Sequence, residues 1–392
     1  MTSTKLPGMA TPLTDPVLRE SEEGGSARST ERVSFESGGD FMRETRAEVE
    51  AYLALGSTRR SGAIRLYTKA PIAFGLIAVS WALLLFGPAG YVQTPLEFAA
   101  LIVGSILTGF CVQHDANHGA AFRRLRYNHL LGWSADVLLG VSSYAWRARH
   151  NVAHHTYTNV DGHDNDITQM PIARLVPAQP SRPWFRFQYL YLWPLYSFMG
   201  MRLQTMGDFN AIRTQSIGRT ALRTPRRWDM AGFVAGKLFF ITWAIAIPLL
   251  IYPWWIVLGA FVLVSLALSL VMVVVFQLAH CVEEASSPSP DDLRENRTVW
   301  AVHQVESTVD FCPDNRVLTW FLGGLNYQIE HHLFPRMPHT LYPQIARIVR
   351  RKAEEHGVRY HVQASLRDAL RSHARHLRAM GDQGQAVEIE MG

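Results

Sequence analysis

Apolar residues along this chain are gathered into long blocks separated by arginine-rich stretches. Pro71–Phe86 is apolar except for one serine, and after a turn containing Gly87, Pro88 and Gly90 the block Leu96–Val112 follows, with Glu97 in its first turn. A second pair lies at Met230–Ile251 and Trp254–Ala279, broken at Tyr252-Pro253. Each block is close to the roughly 17–25 residues that a helix needs to cross the hydrocarbon of a bilayer. The pattern predicts an all-α integral membrane protein with four transmembrane helices, at about 71–88, 96–113, 230–251 and 254–279, arranged as two hairpins. The last block is longer than the bilayer requires, so it should tilt or project beyond the hydrocarbon. Lys237, in the leading turns of the third block, is expected to snorkel to the interface.

Two apolar patches are too short or too mixed to span. Leu130–Val141 reads as a re-entrant or interfacial helix. Phe185–Met201, with Trp184 before it, carries Tyr189, Tyr191, Trp193 and Tyr196 around Pro194, and suits an amphipathic segment at headgroup level. An aqueous helix is expected at about Met42–Leu55. Residues 1–45 are rich in Ser, Thr, Gly, Glu and Arg without an apolar core, and read as a disordered tail rather than a signal peptide. The stretch 378–392 reads as a flexible C-terminal tail, which leaves 46–377 as the membrane domain.

Charge orients this frame. The net charge is +5, yet no basic cluster is interleaved with aromatics, so nucleic acid is excluded as a partner and an anionic membrane face is the simpler account. The turns Gly87–Pro95 and Tyr252-Pro253 hold no Lys or Arg. The opposite loops carry Arg59, Arg60, Arg65, Lys69, Arg123, Arg124, Arg126, Arg147, Arg149, Arg226 and Arg227. The excess of basic residues on that side puts both termini and the central loop in the cytoplasm. Arginine far outnumbers lysine, which suits a high-GC bacterium and its plasma membrane. Cys111, Cys281 and Cys312 show no CxxC spacing, so a disulfide framework or zinc ribbon is not expected.

The candidate chemistry lies in three histidine words: HDANH at 114–118, HNVAHH at 150–155 and QIEHH at 328–332. Two hairpins return the chain to one side each time, so the cytosolic helical cap carries all three. Histidines four apart on a helix share a face. His114 with His118, and His150 with His154, should each offer two nitrogens to one volume, while His155 and the pair His331/His332 diverge and can serve a second metal or bridge. A single ion rarely takes more than about four to six ligands, so seven imidazoles ask for two metals side by side. An all-nitrogen set suits iron, zinc or copper rather than magnesium or calcium. His280, at the end of the fourth span, is placed to complete the shell; its bland reading is a hydrated helix end. His303 is ambiguous between ligand, outer-shell partner and ordinary residue. Asp115, Asp164, Asp166 and Glu330 can accept the remote N–H of a bound imidazole, although each could equally be a solvated loop acid. Asn326 and Gln328 could ligate or orient ligands through their amide oxygens. His129, His163, His339, His356, His361, His373 and His376 read as surface or structural residues.

These words, and the longer strings HNVAHHTYTNVDGHDND and GGLNYQIEHHLFP, resemble the membrane-bound fatty acid desaturases over roughly Ala70 to Ile345. The resemblance implies a non-haem di-iron centre held by His114, His118, His150, His154, His155, His331 and His332, with His280 as the extra ligand near the end of the fourth span. It implies O₂-dependent removal of two hydrogens from adjacent methylenes of a fatty acyl lipid or acyl-CoA. The chain departs from many members by opening its third word with Gln328 instead of His. That resembles front-end desaturases, which act between an existing double bond and the carboxyl end. Many of those carry a fused cytochrome b5 domain with an HPGG motif, which is absent here, so electrons are expected from ferredoxin or from free cytochrome b5 with its reductase. Trp133, Tyr144 and Trp146 are candidates to line the acyl tunnel, and Arg147 and Arg149 to meet an anionic head group; interfacial packing and positive-inside flanking are their ordinary readings. A hydroxylase or ketolase on the same scaffold is the nearest alternative. A histidine-rich metal transporter would want ionisable groups deep in the spans, and a zinc protease would want HExxH.

Overall fold

Segment by segment, helices dominate the computed structural model, which describes residues 33–36, 39–54 and 58–390. The earlier part of the N-terminal tail, 1–32, lies outside the described residues. After a first helix, α1 (Asp40–Ala54), come α2 (Thr58–Phe86) and α3 (Gln93–Asn117), whose apolar portions are long enough to cross a bilayer. They pack along one another at close range. A Cβ on Gly104 would sit 2.9 Å from Leu76 and 3.0 Å from the Ala73 carbonyl, so only glycine permits this approach.

Next follow α4 (Leu125–Leu139) and α5, which runs from Ser143–Arg147 directly into a π-helical turn, Ala148–His154. The Ser142 hydroxyl caps α5 by accepting from the Ala145 N–H. Helix α6 begins at Gln188–Arg202 and continues through a π turn, Leu203–Gly207, into Asp208–Thr214. The third and fourth membrane-length helices are α7 (Arg227–Leu249) and α8 (Trp254–His280), the latter starting directly after Pro253. Beyond them lie α9 (Pro290–Glu295), α10 (Trp300–Glu306), α11 (Arg316–Phe321), α12 (Gln328–Leu333), α13 (Tyr342–Glu355) and α14 (Leu366–Glu390). Among the described residues, sheet is limited to two-residue pairs: antiparallel β1–β2 (Ser216–Ile217, Thr220–Ala221) and parallel β3–β4 (Asp310–Phe311, Val362–Gln363).

The four long helices are not packed alike. The apolar window of α3 is 61% buried inside the protein, against 22% for α7 and 28% for α8. Between the pairs lies a mostly apolar cavity of about 250 Å³, lined by residues such as Trp81, Phe98, Leu139, Phe240 and Trp243. The inner half of α8 is occupied instead by α6. The Ser269 hydroxyl donates to the Tyr196 carbonyl at 2.9 Å and accepts from Gly200 N–H at 2.6 Å. The aromatic segment expected to float at headgroup level is thus bolted to the fourth long helix.

Three further expectations are corrected. Lys237 does not snorkel: it is buried and donates to the carbonyls of Gly140 (2.5 Å) and Gln204 (2.9 Å) and to Asp208 (3.0 Å), which satisfy its three protons. The C-terminal boundary at 378 fails because α14 continues to Glu390; Met380 is buried and its carbonyl accepts from Arg174 at 3.1 Å. The N-terminal boundary at 45 fails too. Helix α1 begins at Asp40, Val33 is buried, and Glu36 bridges to Val299, so the described residues before 46 are anchored by packing that their polar composition hides.

Candidate metal centre

Three elements deliver the histidine words to one place, and two of them are distorted to do so. A π turn, Thr108–Gln113, immediately precedes His114, and a second, Ala148–His154, contains His150 and His154. In a π turn the backbone bonds from i to i+5, which is rare in ordinary helices and frequent at functional sites. Residues five apart then face each other, and His150 Nε2 lies 3.2 Å from His155 Nε2. The third word rides on the short helix α12, next to which Gly323 (φ +62°) lets the chain pass within van der Waals range of the Phe110 carbonyl and Cys111.

Eight histidines converge. The ligand atoms of His114, His118, His150 and His331 lie within 4.8 Å of one another; so do those of His154, His280 and His332, and those of His155, His331 and His332. His280 therefore sits with His154 and His332, at ring-centroid distances of 4.6 and 5.0 Å. His150 and His154 share one volume as expected: their rings stack with centroids 5.2 Å apart, and their ligand atoms lie within 4.8 Å of each other. Together with Asp166 they form a further potential ligand set, while each also joins a group of its own, His150 with His114, His118 and His331, and His154 with His280 and His332.

The donor set fits transition metals. Among the described residues, the buried Nε2 atoms of His114, His118, His154, His280, His331 and His332 have no hydrogen-bond partner, although buried polar atoms are paired as a rule. Burial first, and the neighbouring imidazoles second, push His118, His150, His155, His331 and His332 well below the usual histidine range. They are neutral at physiological pH, which is the form that binds a metal. At His154 burial opposes charge, but the Asp164 carboxylate 3.0 Å away outweighs it and raises the value.

Outer contacts orient the rings. Asp164 faces His154 Nδ1, the Ser307 carbonyl lies 3.4 Å from His280 Nδ1, and Gln304 Oε1 lies 2.7 Å from His332 Nδ1. Tyr342 Oη lies 3.2 Å from His331 Nδ1, and Asp115 lies 3.6 Å from His114 Nδ1. Asp166, half-exposed, is 3.6 Å from His154. Glu330 is not among these partners. Its carboxyl accepts from Tyr360 at 2.9 Å beside Asp310, and burial raises both acids, Asp310 to about 6.

The remaining candidates divide. Trp146 belongs to the site, its ring 4.4 Å from His150 and 5.4 Å from His118. Trp133 instead donates to the Gly232 carbonyl at 2.8 Å, and Tyr144 to the Arg223 carbonyl, so both join elements away from the histidines. Arg147 reaches the Asn117 side chain at 3.4 Å, and Arg149 lies near Asp166. His303 contacts Ser307 at 3.3 Å and packs on Phe35 at 4.9 Å, outside the histidine groups. Asn326 donates to Thr319 at 3.0 Å, and Gln328 is fully buried with both amide atoms unpartnered. Gln304, Ser307 and Tyr342 were not foreseen. They lie outside the words, and the one available signal was the polar pair His303-Gln304 inside an otherwise apolar stretch. His339, His373 and His376, read as surface or structural, are all buried.

Comparison with known proteins agrees with this geometry. The fatty acid desaturase family model matches residues 93–364. A sn-1 linoleoyl-lipid 6-desaturase of Arthrospira platensis is 34% identical over 92% of this chain and 98% of its own length. A sn-1 linoleoyl-lipid 6-desaturase of Synechocystis is 32% identical over 90% and 99%, and an acyl-lipid (8-3)-desaturase of Physcomitrium patens is 32% identical over 87% and 72%. The chain belongs to the fatty acid desaturase family. It is a membrane oxidoreductase of lipid metabolism that desaturates fatty acyl chains.

Proposed function

We propose that this protein inserts a cis double bond on the carboxyl side of an existing one in the acyl chain of a membrane lipid, using O₂, two iron ions and an external electron donor. The observation that carries the reading is the set of buried, unpartnered imidazole nitrogens in two adjoining groups. His114, His118, His150 and His331 would hold one iron, His154, His280 and His332 the other, and His155 stands between them. Bound there, two ferrous ions supply the reducing equivalents that activate O₂ for removal of two hydrogens from adjacent methylenes.

The chain's own residues do the rest. Asp164, Gln304 and the Ser307 carbonyl hold the remote ring nitrogens, so each Nε2 stays aimed inward. Trp146 and Phe276 wall His150 with apolar faces, at 4.4 and 5.9 Å, where a methylene can approach while water is kept out. Acyl-lipid relatives and Gln328 at the head of the third word favour front-end action on a lipid-bound chain. The basic loops around the histidines favour a cytoplasmic site at the plasma membrane, reached by ferredoxin or by cytochrome b5 with its reductase.

Expression in a bacterial host fed linoleate tests this directly. The expected product is two mass units lighter, with the new double bond located between the carboxyl end and the existing pair, and purified protein carries about two irons per chain. A product sixteen mass units heavier, or protein that takes up zinc and no iron in iron-rich medium, overturns it.

A further inference from the structure

We infer that Lys69 and His339 are positioning residues: a buried cation in the first span dictates, through His339 and Asp115, which nitrogen His114 turns toward the metal. This rests on the di-iron reading above. Lys69 belongs by sequence to the basic flank of the first span, but it is only 3% exposed. Its Nζ lies 2.7 Å from the Trp320 carbonyl, 2.8 Å from His339 Nε2 and 3.7 Å from Cys111 Sγ.

The chemistry of the donors gives this chain a direction. An ammonium has protons to donate and no lone pair to accept with. His339 Nε2 must therefore be the acceptor, which places the ring proton on Nδ1. That Nδ1 lies 2.9 Å from Asp115 Oδ2, and the His339 backbone N–H reaches the same oxygen at 3.2 Å. With Oδ2 receiving both, Oδ1 is left to face His114 Nδ1, 3.6 Å away. At 3.6 Å the carboxylate acts by its charge and not through a hydrogen bond; that charge favours the proton on Nδ1 and leaves the Nε2 lone pair for the metal. Were Lys69 absent, His339 could carry its proton on either nitrogen, and Asp115 could lose its ring donor while keeping the backbone one.

A mere bolt between the first span and the segment after the third word would look similar, so the test separates the two. His339→Asn keeps an N–H donor near the Nδ1 position, toward Asp115. His339→Gln extends to the Nε2 position and Lys69, and withdraws the side-chain donor from Asp115, leaving the backbone N–H. Lys69→Met keeps the length and removes the charge. Each full-length variant is loaded with iron, challenged with a chelator, and separately loaded with cobalt(II) to record its ligand-field spectrum.

Lys69→Met and His339→Gln are expected to release iron about 10–100-fold faster than wild type and to shift the cobalt bands, while His339→Asn stays within about threefold. If Lys69→Met does not fold, the Asn/Gln pair decides alone. Equal release and unchanged cobalt spectra across the variants, from a wild type that loads two irons, overturn the proposal. So does equal loss in the Asn and Gln variants. A wild type that takes up no iron overturns the di-iron reading and this proposal with it.

Discussion

In the group of His154, His280 and His332, each remote ring nitrogen meets an oxygen: Asp164 at 3.0 Å, the Ser307 carbonyl at 3.4 Å and Gln304 at 2.7 Å. The group of His114, His118, His150 and His331 leans on aromatic faces instead. Trp146 lies 5.7 Å from His114, 5.4 Å from His118 and 4.4 Å from His150; among the described residues Tyr342, 3.2 Å from His331, supplies an oxygen within hydrogen-bond distance of a remote nitrogen, with the Asp115 carboxylate farther off at 3.6 Å from His114 Nδ1. The contrast shows how one residue type serves two needs. A polar backing fixes ring rotation and strengthens a ligand, whereas an apolar wall leaves room and low polarity for hydrocarbon. On the proposed function, the aromatic-walled group is the one the acyl methylene approaches.

The sharpest way to break this comparison is to remove a ligand from the polar-backed group. His280→Ala is expected to cut desaturation by at least about a hundredfold and to lower iron well below two per chain, measured by metal analysis and product yield. Unchanged iron content would remove His280 from the site. The next effect separates the backings themselves. Gln304→Leu, which strips the acceptor from His332, should cost about 10–100-fold in iron affinity or rate. Tyr342→Phe in the other group should cost only about 1 kcal/mol, read in the same chelator competition. Equal losses would erase the distinction.

The smallest effect is one residue's share of a pH dependence to which the buried imidazoles of both groups also contribute. His373 on α14 donates to the Cys281 carbonyl at 2.7 Å, next to His280, and burial holds it down to about 4. The unfolded chain takes up a proton near pH 6.5 that the folded one refuses, so this contribution is complete above that value and declines as pH falls toward 4. By pH 5.5 the loss should be about 1 kcal/mol, seen as a lower Tm that His373→Asn relieves. An equal fall in Tm between pH 7 and 5.5 in the wild type and in His373→Asn would rule this out.

The four long helices were legible to within a few residues at most ends, and the three words named seven of the eight converging histidines, with His280 found from its place at the end of a span. What escaped were relations. The π turns at Thr108–Gln113 and Ala148–His154 have no signature in the hydrophobic period, yet the second contains His150, whose Nε2 lies 3.2 Å from His155 Nε2. Lys237 and Lys69 both look like flanking cations until the carbonyls that receive them come from segments far along the chain. Glu330 sits inside a histidine word and still turns toward Tyr360.

Linear order settles which segments can enter a bilayer and which residue types can bind a metal. Inside hydrocarbon a helix must satisfy its own backbone, so the length of an apolar run carries the span within itself. Which imidazole joins which group, and which nitrogen it presents, depends on helix rotation and on oxygen atoms contributed by Asp164, Gln304, Ser307, Asp115 and, through it, His339. Those contacts exist only after distant segments pack, and the packing alone decided them.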